Sequence, residues 1–219
     1  MRRATTALRQ SAHARLIAGS LLAIVVLAVG VAELSVVASA DIAAANTVHS
    51  LATGWLTSVL LGVTDLASTD VILVATATAV VILAAQGHWR GAVALSVSVL
   101  ATQAAVTIAK GLISRPRPEA EGAAVDAAGF SFPSAHSASA VALYVMLALI
   151  AGHALRRRVG GVAWLAAVSL VLAIGLSRVY LGAHYPTDVF AGWLLGASVV
   201  IGSWALCARL PAPPRPAAL

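Results

Sequence analysis

The chain has 219 residues, of which 60% are hydrophobic and 10% are charged, and its mean hydropathy is +0.94. Soluble domains carry about 45–50% apolar and about 25% charged residues, so this composition excludes a water-soluble domain and a disordered chain. The net charge of +6 does not indicate nucleic-acid binding, because the charges lie at the ends of apolar runs. The only cysteine, Cys207, excludes an internal disulfide. The chain is typical of an integral membrane protein.

Six apolar runs come close to the about 20 residues that a helix needs to cross a bilayer core of about 30 Å. They cover residues 16–38, 71–86, 91–109, 134–151, 162–176 and 187–206. We therefore predict an all-α polytopic membrane protein with six transmembrane helices. The sequence indicates one domain over residues 1–210, followed by a proline-rich tail at residues 211–219.

Residues 46–68 show a different pattern, in which apolar side chains recur every three or four residues among polar ones. These apolar residues are Val48, Leu51, Trp55, Val59, Val63 and Leu66. This spacing predicts an amphipathic helix that lies in the membrane interface between the first two spans. A seventh span is the alternative, and it would change the predicted topology.

The basic residues predict the orientation of the chain. Ten of them flank the spans on one side of the membrane: Arg2, Arg3, Arg9, Arg15, Arg90, Arg156, Arg157, Arg158, Arg209 and Arg215. By the positive-inside rule this side is cytoplasmic, so we expect a plasma-membrane protein with both termini in the cytoplasm. Ala38 to Ala40 also resemble a signal-peptide cleavage site, but the preceding apolar run exceeds the usual 7–15 residues and favours an uncleaved helix.

The four remaining basic residues lie on the predicted extracytoplasmic side, in the first and the third of three residue clusters. In the first, Lys110 is followed by Arg115 and Arg117, in a segment that Pro116 and Pro118 prevent from continuing as a helix. Guanidinium groups suit bidentate contact with phosphate oxygens. Taken alone, this cluster is equally consistent with a basic patch that contacts anionic lipid headgroups.

The second cluster, residues 132–137, begins the fourth span. Pro133 and Ser134 are ordinary residues for a helix start. His136 lies two residues beyond Ser134, beside the free N–H groups and partial positive charge that make a helix N-terminus an anion site.

The third cluster joins the fifth and sixth spans and contains Arg178, His184 and Asp188. An aspartate four residues after a histidine can accept one ring N–H and leave the other nitrogen free to attack. The alternative is an aspartate that complements a positive helix end beside a surface histidine.

These clusters resemble the signature motifs of the type 2 phosphatidic acid phosphatase superfamily. Its K-x6-R-P pattern matches Lys110, Arg117 and Pro118; its P-S-G-H pattern matches Pro133, Ser134, Ala135 and His136, with alanine in place of glycine; and its S-R-x5-H-x3-D pattern matches Ser177, Arg178, His184 and Asp188.

The resemblance implies a role for each matched residue. His184 is the expected nucleophile, Asp188 orients its ring, and His136 protonates the leaving oxygen. The expected phosphate ligands are Lys110, Arg117, Ser134, Ala135 through its backbone N–H, and Arg178. No metal or cofactor is expected, because three fixed cations can stabilise the phosphoryl charge. Arg115 lies outside the pattern, and a contact with phosphate is left open.

A site at the membrane surface suits a substrate whose tail stays in the bilayer, so we expect a lipid phosphatase that forms a phosphohistidine. The resemblance implies polyprenyl diphosphate, phosphatidylglycerol phosphate, phosphatidic acid or diacylglycerol pyrophosphate as the substrate. The alternatives are a lipid phosphotransferase and a membrane protein that binds lipid phosphates without catalysis. No nucleic-acid partner is expected, and the sequence leaves the oligomeric state open.

Overall fold

The structure is a computed structural model that describes residues 2–118, 124–125, 128–154 and 157–210. It is 82% helical, and the described residues contain no strand. This confirms the predicted all-α class. The predicted tail at residues 211–219, which contains Arg215, lies outside the described residues, as does Arg156.

The helices follow one another through short connections over most of the chain. The first five are α1 (Arg2–Glu33), α2 (Ser35–His49), α3 (Gly54–Asp65), α4 (Thr69–Ala85) and α5 (Trp89–Ile113). Then come α6 (Ala135–Ala140), a π-helical turn (Val141–Val145), α7 (Met146–Ala154), α8 (Arg157–Tyr180) and α9 (Pro186–Cys207).

Within the part of the chain that the structure describes, five helical stretches are long and apolar enough to cross a membrane: His13–Gly30, Trp89–Ile113, Ala135–His153, Gly160–Tyr180 and Pro186–Cys207. The third of them combines α6, the π-helical turn and α7. Helices α3 and α4, bent by 45° at their junction, make a sixth span if the pair crosses together. The described residues therefore contain five or six candidate spans, and six were predicted.

Two predicted boundaries differ from the structure. The first helix ends at Glu33, not at residue 38, because Leu34 leaves the helical conformation (φ −103°, ψ 104°) and α2 starts at Ser35. The predicted interfacial helix over residues 46–68 is two helices, since the chain turns between His49 and Gly54. The Tyr180 hydroxyl accepts the Thr53 N–H at 2.8 Å within that turn. Because this contact is a tertiary one, it has no effect on the spacing of apolar residues along the sequence. That spacing could therefore not predict the break between the two helices.

Helix α9 lies at the centre of the bundle and contacts α1, α5, α6 and α8. Two glycines on one face allow its close approach to α6. A Cβ built on Gly192 would lie 2.6 Å from the Ser134 carbonyl oxygen, and one built on Gly196 would lie 2.6 Å from the Ala138 carbonyl oxygen. Small residues four apart are a common device for bringing transmembrane helices together.

The outer surface of the bundle carries many large aliphatic side chains. Leu22 is 64% exposed, Leu112 80% and Leu165 71%. Such a surface suits contact with lipid tails. All three motifs lie where α5 and α8 end and where α6 and α9 begin, and we call this end of the bundle the site end.

Candidate active site

The turn between α8 and α9 positions the third motif. Gly182 adopts a positive φ of 74°, which an L side chain rarely accepts, and the chain reverses there. The backbone N–H groups of Ala183 and His184 both donate to the Arg178 carbonyl oxygen, at 3.0 and 3.1 Å. The turn therefore brings His184 back beside the end of α8.

His184 and Asp188 form a buried pair, with side chains 2% and 0% exposed. His184 Nδ1 lies 3.4 Å from Asp188 Oδ2, and the alignment falls short of a hydrogen bond. Catalytic contacts are often this long in the absence of substrate. Asp188 Oδ2 also accepts the Tyr185 N–H at 2.9 Å, which fixes the carboxylate at the start of α9.

The other ring nitrogen of His184 faces a cation. Arg117 Nη1 lies 3.1 Å from His184 Nε2. A guanidinium only donates hydrogen bonds, so this contact assigns the lone pair to Nε2 and the proton to Nδ1, toward Asp188. That tautomer presents a nucleophilic nitrogen to the site.

Burial sets the protonation of this centre. It lowers the pKa of His184 to about 4, against the opposing effect of Asp188, so the ring is neutral at pH 7. Burial also lowers the pKa of the Arg117 guanidinium, and Asp188 again opposes the shift.

The first motif begins in the last turn of α5, which carries Lys110. The Lys110 ammonium donates to the Phe130 carbonyl oxygen. Arg117 donates to three further carbonyl oxygens, those of Gly129 at 2.9 Å, Ala128 at 3.0 Å and Ala183 at 2.8 Å. Arg117 thus ties the loop before α6 to the turn that carries His184.

The second motif caps α6. Ser134 is the N-cap residue, and its hydroxyl accepts the Ser137 N–H at 3.4 Å and the Ser137 hydroxyl at 3.1 Å. The Ser134 N–H donates to the Asp188 carbonyl oxygen at 2.9 Å, which joins the second and third motifs through the backbone. Ala135 lies in the first turn of α6 and not in the positive-φ region. Alanine in place of the usual glycine therefore causes no backbone strain and keeps its N–H.

His136 and Arg178 complete the set. His136 is half-buried in the first turn of α6 and lies within the electrostatic influence of Lys110, Arg117, Arg178 and His184. Arg178 is 5% exposed, and its Nη1 donates to the Thr64 hydroxyl at 3.0 Å. Its buried Nε has no partner among the described residues. All eight residues implicated by the motifs thus lie at the site end.

Sequence reasoning missed three residues of this region: Asp41 of α2, Thr64 of α3 and Thr187 of α9. It also left the role of Arg115 open. Arg115 Nη2 lies 2.7 Å from Asp41 Oδ2, and Nη1 lies 2.6 Å from Asp188 Oδ1. Asp41 stands 147 positions before Asp188 in the sequence, and no local pattern connects them.

The described residues contain no group of three or more His, Cys, Asp or Glu side chains that could hold a metal ion. The charges that converge at the site end belong instead to one lysine and three arginines, with Asp41 and Asp188 as the buried carboxylates.

Comparison with known proteins identifies the family of the chain. The model of the PAP2 superfamily matches residues 91–210, which include all three motifs. Phosphatidylglycerophosphatase B of Bacillus subtilis is 31% identical over 168 residues, covering 73% of this chain and 79% of that protein. Decaprenylphosphoryl-5-phosphoribose phosphatase of Mycobacterium tuberculosis is 36% identical over 99 residues, covering 44% of this chain and 50% of that protein.

The same fold occurs in solved structures. The crystal structure of the transmembrane PAP2-type phosphatidylglycerolphosphate phosphatase from Bacillus subtilis superposes with a TM-score of 0.79 at 26% identity, covering 89% of this chain and 97% of that one. Aquifex aeolicus LpxE shares the fold, with a TM-score of 0.56 at 22% identity over 73% of this chain and 91% of that one. The fold and site define a multi-span helical membrane protein of the lipid phosphatase class. The chain belongs to the PAP2 superfamily.

Proposed function

We propose that this protein hydrolyses the phosphate monoester or diphosphate of a membrane lipid through a phosphohistidine at His184. The observation that carries the proposal is the placement of the His184 ring between Asp188 at Nδ1 and Arg117 at Nε2. It supports a neutral nucleophile whose reactive nitrogen already faces a phosphate-binding cation.

In the first step, the Nε2 lone pair of His184 attacks phosphorus and forms an N–P bond. The bond from phosphorus to the lipid oxygen breaks, and His136 gives a proton to that oxygen. Lys110, Arg117 and Arg178 surround the phosphoryl oxygens, and charge stabilisation of this kind contributes most of the catalysis in phosphoryl transfer. The Ser134 hydroxyl and the Ala135 N–H supply further donors at the start of α6.

In the second step, water gives a proton to His136 and attacks phosphorus. The N–P bond breaks, His184 regains its lone pair, and inorganic phosphate leaves. Asp188 stabilises the cationic ring in both steps. This mechanism needs no metal ion, so we expect turnover to continue in EDTA.

The substrate follows from the position of the site and from the relatives. A site where helices meet the membrane surface suits a phosphate whose lipid tail remains in the bilayer. The relatives support phosphatidylglycerol phosphate as the first candidate, because the Bacillus subtilis phosphatase aligns with most of this chain, and polyprenyl phosphates as the second. We propose that the site faces the extracytoplasmic side, as the basic residues at the other end of the bundle indicate.

The experiment measures inorganic phosphate released by the purified protein from phosphatidylglycerol phosphate, phosphatidic acid and undecaprenyl diphosphate in detergent, with EDTA. His184→Ala is expected to lower turnover by about 1,000-fold or more, as loss of a nucleophile does. His88→Ala is the matched control, because His88 is exposed at the opposite end of the bundle.

Each contrary result removes a defined part of the proposal. Near-native turnover by a folded His184→Ala protein would show that His184 is not the nucleophile. Turnover that EDTA abolishes and a divalent ion restores removes the metal-free mechanism. Transfer of phosphate to an added alcohol without release of inorganic phosphate identifies a phosphotransferase.

A further inference from the structure

A buried charged cluster lies directly behind His184 and Asp188 and extends beyond the three motifs. It consists of Arg115, 9% exposed, Asp41, whose side chain is 2% exposed, and Thr187. The Thr187 N–H donates to Asp41 Oδ1 at 3.1 Å, and the Thr187 hydroxyl donates to Asp41 Oδ2. Arg115 Nη1 also donates to the Thr187 hydroxyl at 2.9 Å.

We propose that Arg115 is a positioning residue for Asp188, and that Asp41 holds Arg115 in that role and keeps it away from the phosphate. This inference rests on the proposed function, in which Asp188 orients the nucleophile His184.

The geometry divides the two oxygens of Asp188 between two tasks. Oδ1 accepts from Arg115 Nη1 at 2.6 Å, whereas Oδ2 faces His184 Nδ1 at 3.4 Å. A rotation of the carboxylate away from His184 would break the contact with Arg115. The guanidinium therefore fixes the rotamer of Asp188 on which the tautomer of His184 depends.

Asp41 matters because of charge. When His184 attacks phosphorus, its ring becomes a cation that Asp188 must stabilise, and a guanidinium bound to Asp188 alone would compete for the same carboxylate. Asp41 gives Arg115 a second carboxylate at 2.7 Å. The two carboxylates and the guanidinium together carry one net negative charge, which balances the cationic ring.

Arg115 is also held out of reach of a phosphate. Both of its terminal nitrogens are engaged by carboxylates, and the guanidinium stacks over the Tyr185 ring at 4.0 Å from the ring centroid. Arg117, two residues later, places Nη1 at the reactive nitrogen of His184. The two arginines of this segment thus have different tasks, one at the carboxylate and one at the phosphate.

The test compares Arg115→Lys, Asp41→Asn and the double variant with wild type, and measures kcat, KM and the inhibition constant of inorganic phosphate. A single ammonium cannot reproduce a fork that reaches two carboxylates. We expect Arg115→Lys to lower kcat by about 10- to 100-fold, as displacement of a catalytic group does. We expect the phosphate inhibition constant to stay within about twofold, because no phosphate contact is lost.

Asp41→Asn keeps the shape of the side chain and removes its charge, so we expect kcat to fall there too. The double variant is expected to lose little more than Arg115→Lys, because residues that act through one contact are not additive. Arg90→Lys is the matched control, since Arg90 donates to the Leu210 carbonyl oxygen at the opposite end of the bundle. Gel filtration and thermal unfolding in detergent establish that each variant is folded. If Arg115→Lys does not fold, Asp41→Asn carries the test alone.

Three results would overturn the inference. An unchanged kcat in folded variants removes the positioning role. A phosphate inhibition constant that rises about 10-fold or more in Arg115→Lys makes Arg115 a phosphate ligand instead. If the two losses in kcat are additive in the double variant, Asp41 does not act through Arg115. A wild-type protein that releases no phosphate from any lipid overturns the proposed function itself, whereas active wild type with unaffected variants overturns only the inference.

Discussion

The His184 ring has a different neighbour at each nitrogen, a carboxylate at Nδ1 and a guanidinium at Nε2. Its burial matters as much as these contacts. An ordinary histidine, with a pKa near 6.5, would be largely protonated in mildly acidic solution and could not attack phosphorus. Because burial lowers the pKa of His184 to about 4, its lone pair persists there.

This protonation predicts the acid limb of the pH profile. Under the proposed mechanism, falling pH inactivates the protein by protonating His184, so we expect kcat/KM to keep at least half of its plateau value at pH 5 and to fall as the pH approaches about 4. The measurement is kcat/KM from pH 4 to 9 on two substrates, a monophosphate and a diphosphate, because the substrate's own phosphate ionises near pH 6.

If the acid limb of the pH profile reports the protonation of His184, its midpoint is the same for both substrates. A shared midpoint near 6.5 would show instead that the nucleophile ionises like an exposed histidine. Re-assay at pH 7 after each acid incubation distinguishes reversible protonation from unfolding.

Sequence reasoning predicted most readily the proximity of residues whose partners are local. His184 and Asp188 are four positions apart, and Ser134 caps the helix in which His136 lies, so short motifs pointed to them together. Asp41 escaped notice because its partners Arg115 and Thr187 lie far along the chain. Arg115 was noticed, but only the fold shows that its guanidinium faces carboxylates.

At the scale of elements, the contact between α6 and α9 sets the position of two motifs relative to each other. Gly192 lets α9 approach the Ser134 carbonyl oxygen, and the Ser134 N–H bonds to the Asp188 carbonyl oxygen. Hydropathy predicted both helices, but it carries no information on which faces meet. The distance between His136 and His184 therefore depends on a residue with no side chain.

We expect Gly192→Ala to disturb this contact. The added Cβ would lie 2.6 Å from a backbone oxygen and 2.9 Å from the Ser137 Cβ, neither of which can rotate away. Overpacking of this kind costs about 1–3 kcal/mol, so both thermal stability in detergent and kcat should fall.

Gly202→Ala provides the control on the same helix, since its Cβ would meet only the Ile17 side chain at 3.8 Å. It is expected to unfold within about 2 °C of wild type, a shift corresponding to no more than about 0.5–1 kcal/mol for a chain of this size. Equal losses in the two variants would show that α9 tolerates no added methyl anywhere, and would remove the special role of the contact with α6.

At the scale of the whole molecule, charge is segregated between the two ends of the bundle. Arg90 and Arg209 lie at the end where α5 begins and α9 ends, and the arginines of the site end are engaged by carboxylates, carbonyl oxygens or Thr64. The positive-inside rule counts the basic residues in each loop. It does not distinguish an arginine that sets the orientation of the chain from one that lies in the candidate active site. The segregation in space supports the proposed orientation.

Labelling of single cysteines tests that orientation. In a Cys207→Ser background, Ala52→Cys places a thiol in the exposed turn between α2 and α3 at the site end, and Gln86→Cys places one in the exposed connection after α4. We expect a membrane-impermeant maleimide to label the first in intact cells and the second only after lysis. The reverse pattern would put the site in the cytoplasm.

Because Asp41 contacts Arg115, the part of the chain that forms the complete site extends beyond the signature motifs. The segment matched by the superfamily model, residues 91–210, contains every signature residue but begins 50 positions after Asp41 and 27 after Thr64. A truncation or chimaera cut at residue 91 would retain the complete signature yet leave Arg115 with one carboxylate and Arg178 without its hydroxyl partner. Domain swaps within this superfamily should therefore transplant the second and third helices together with the signature-bearing half.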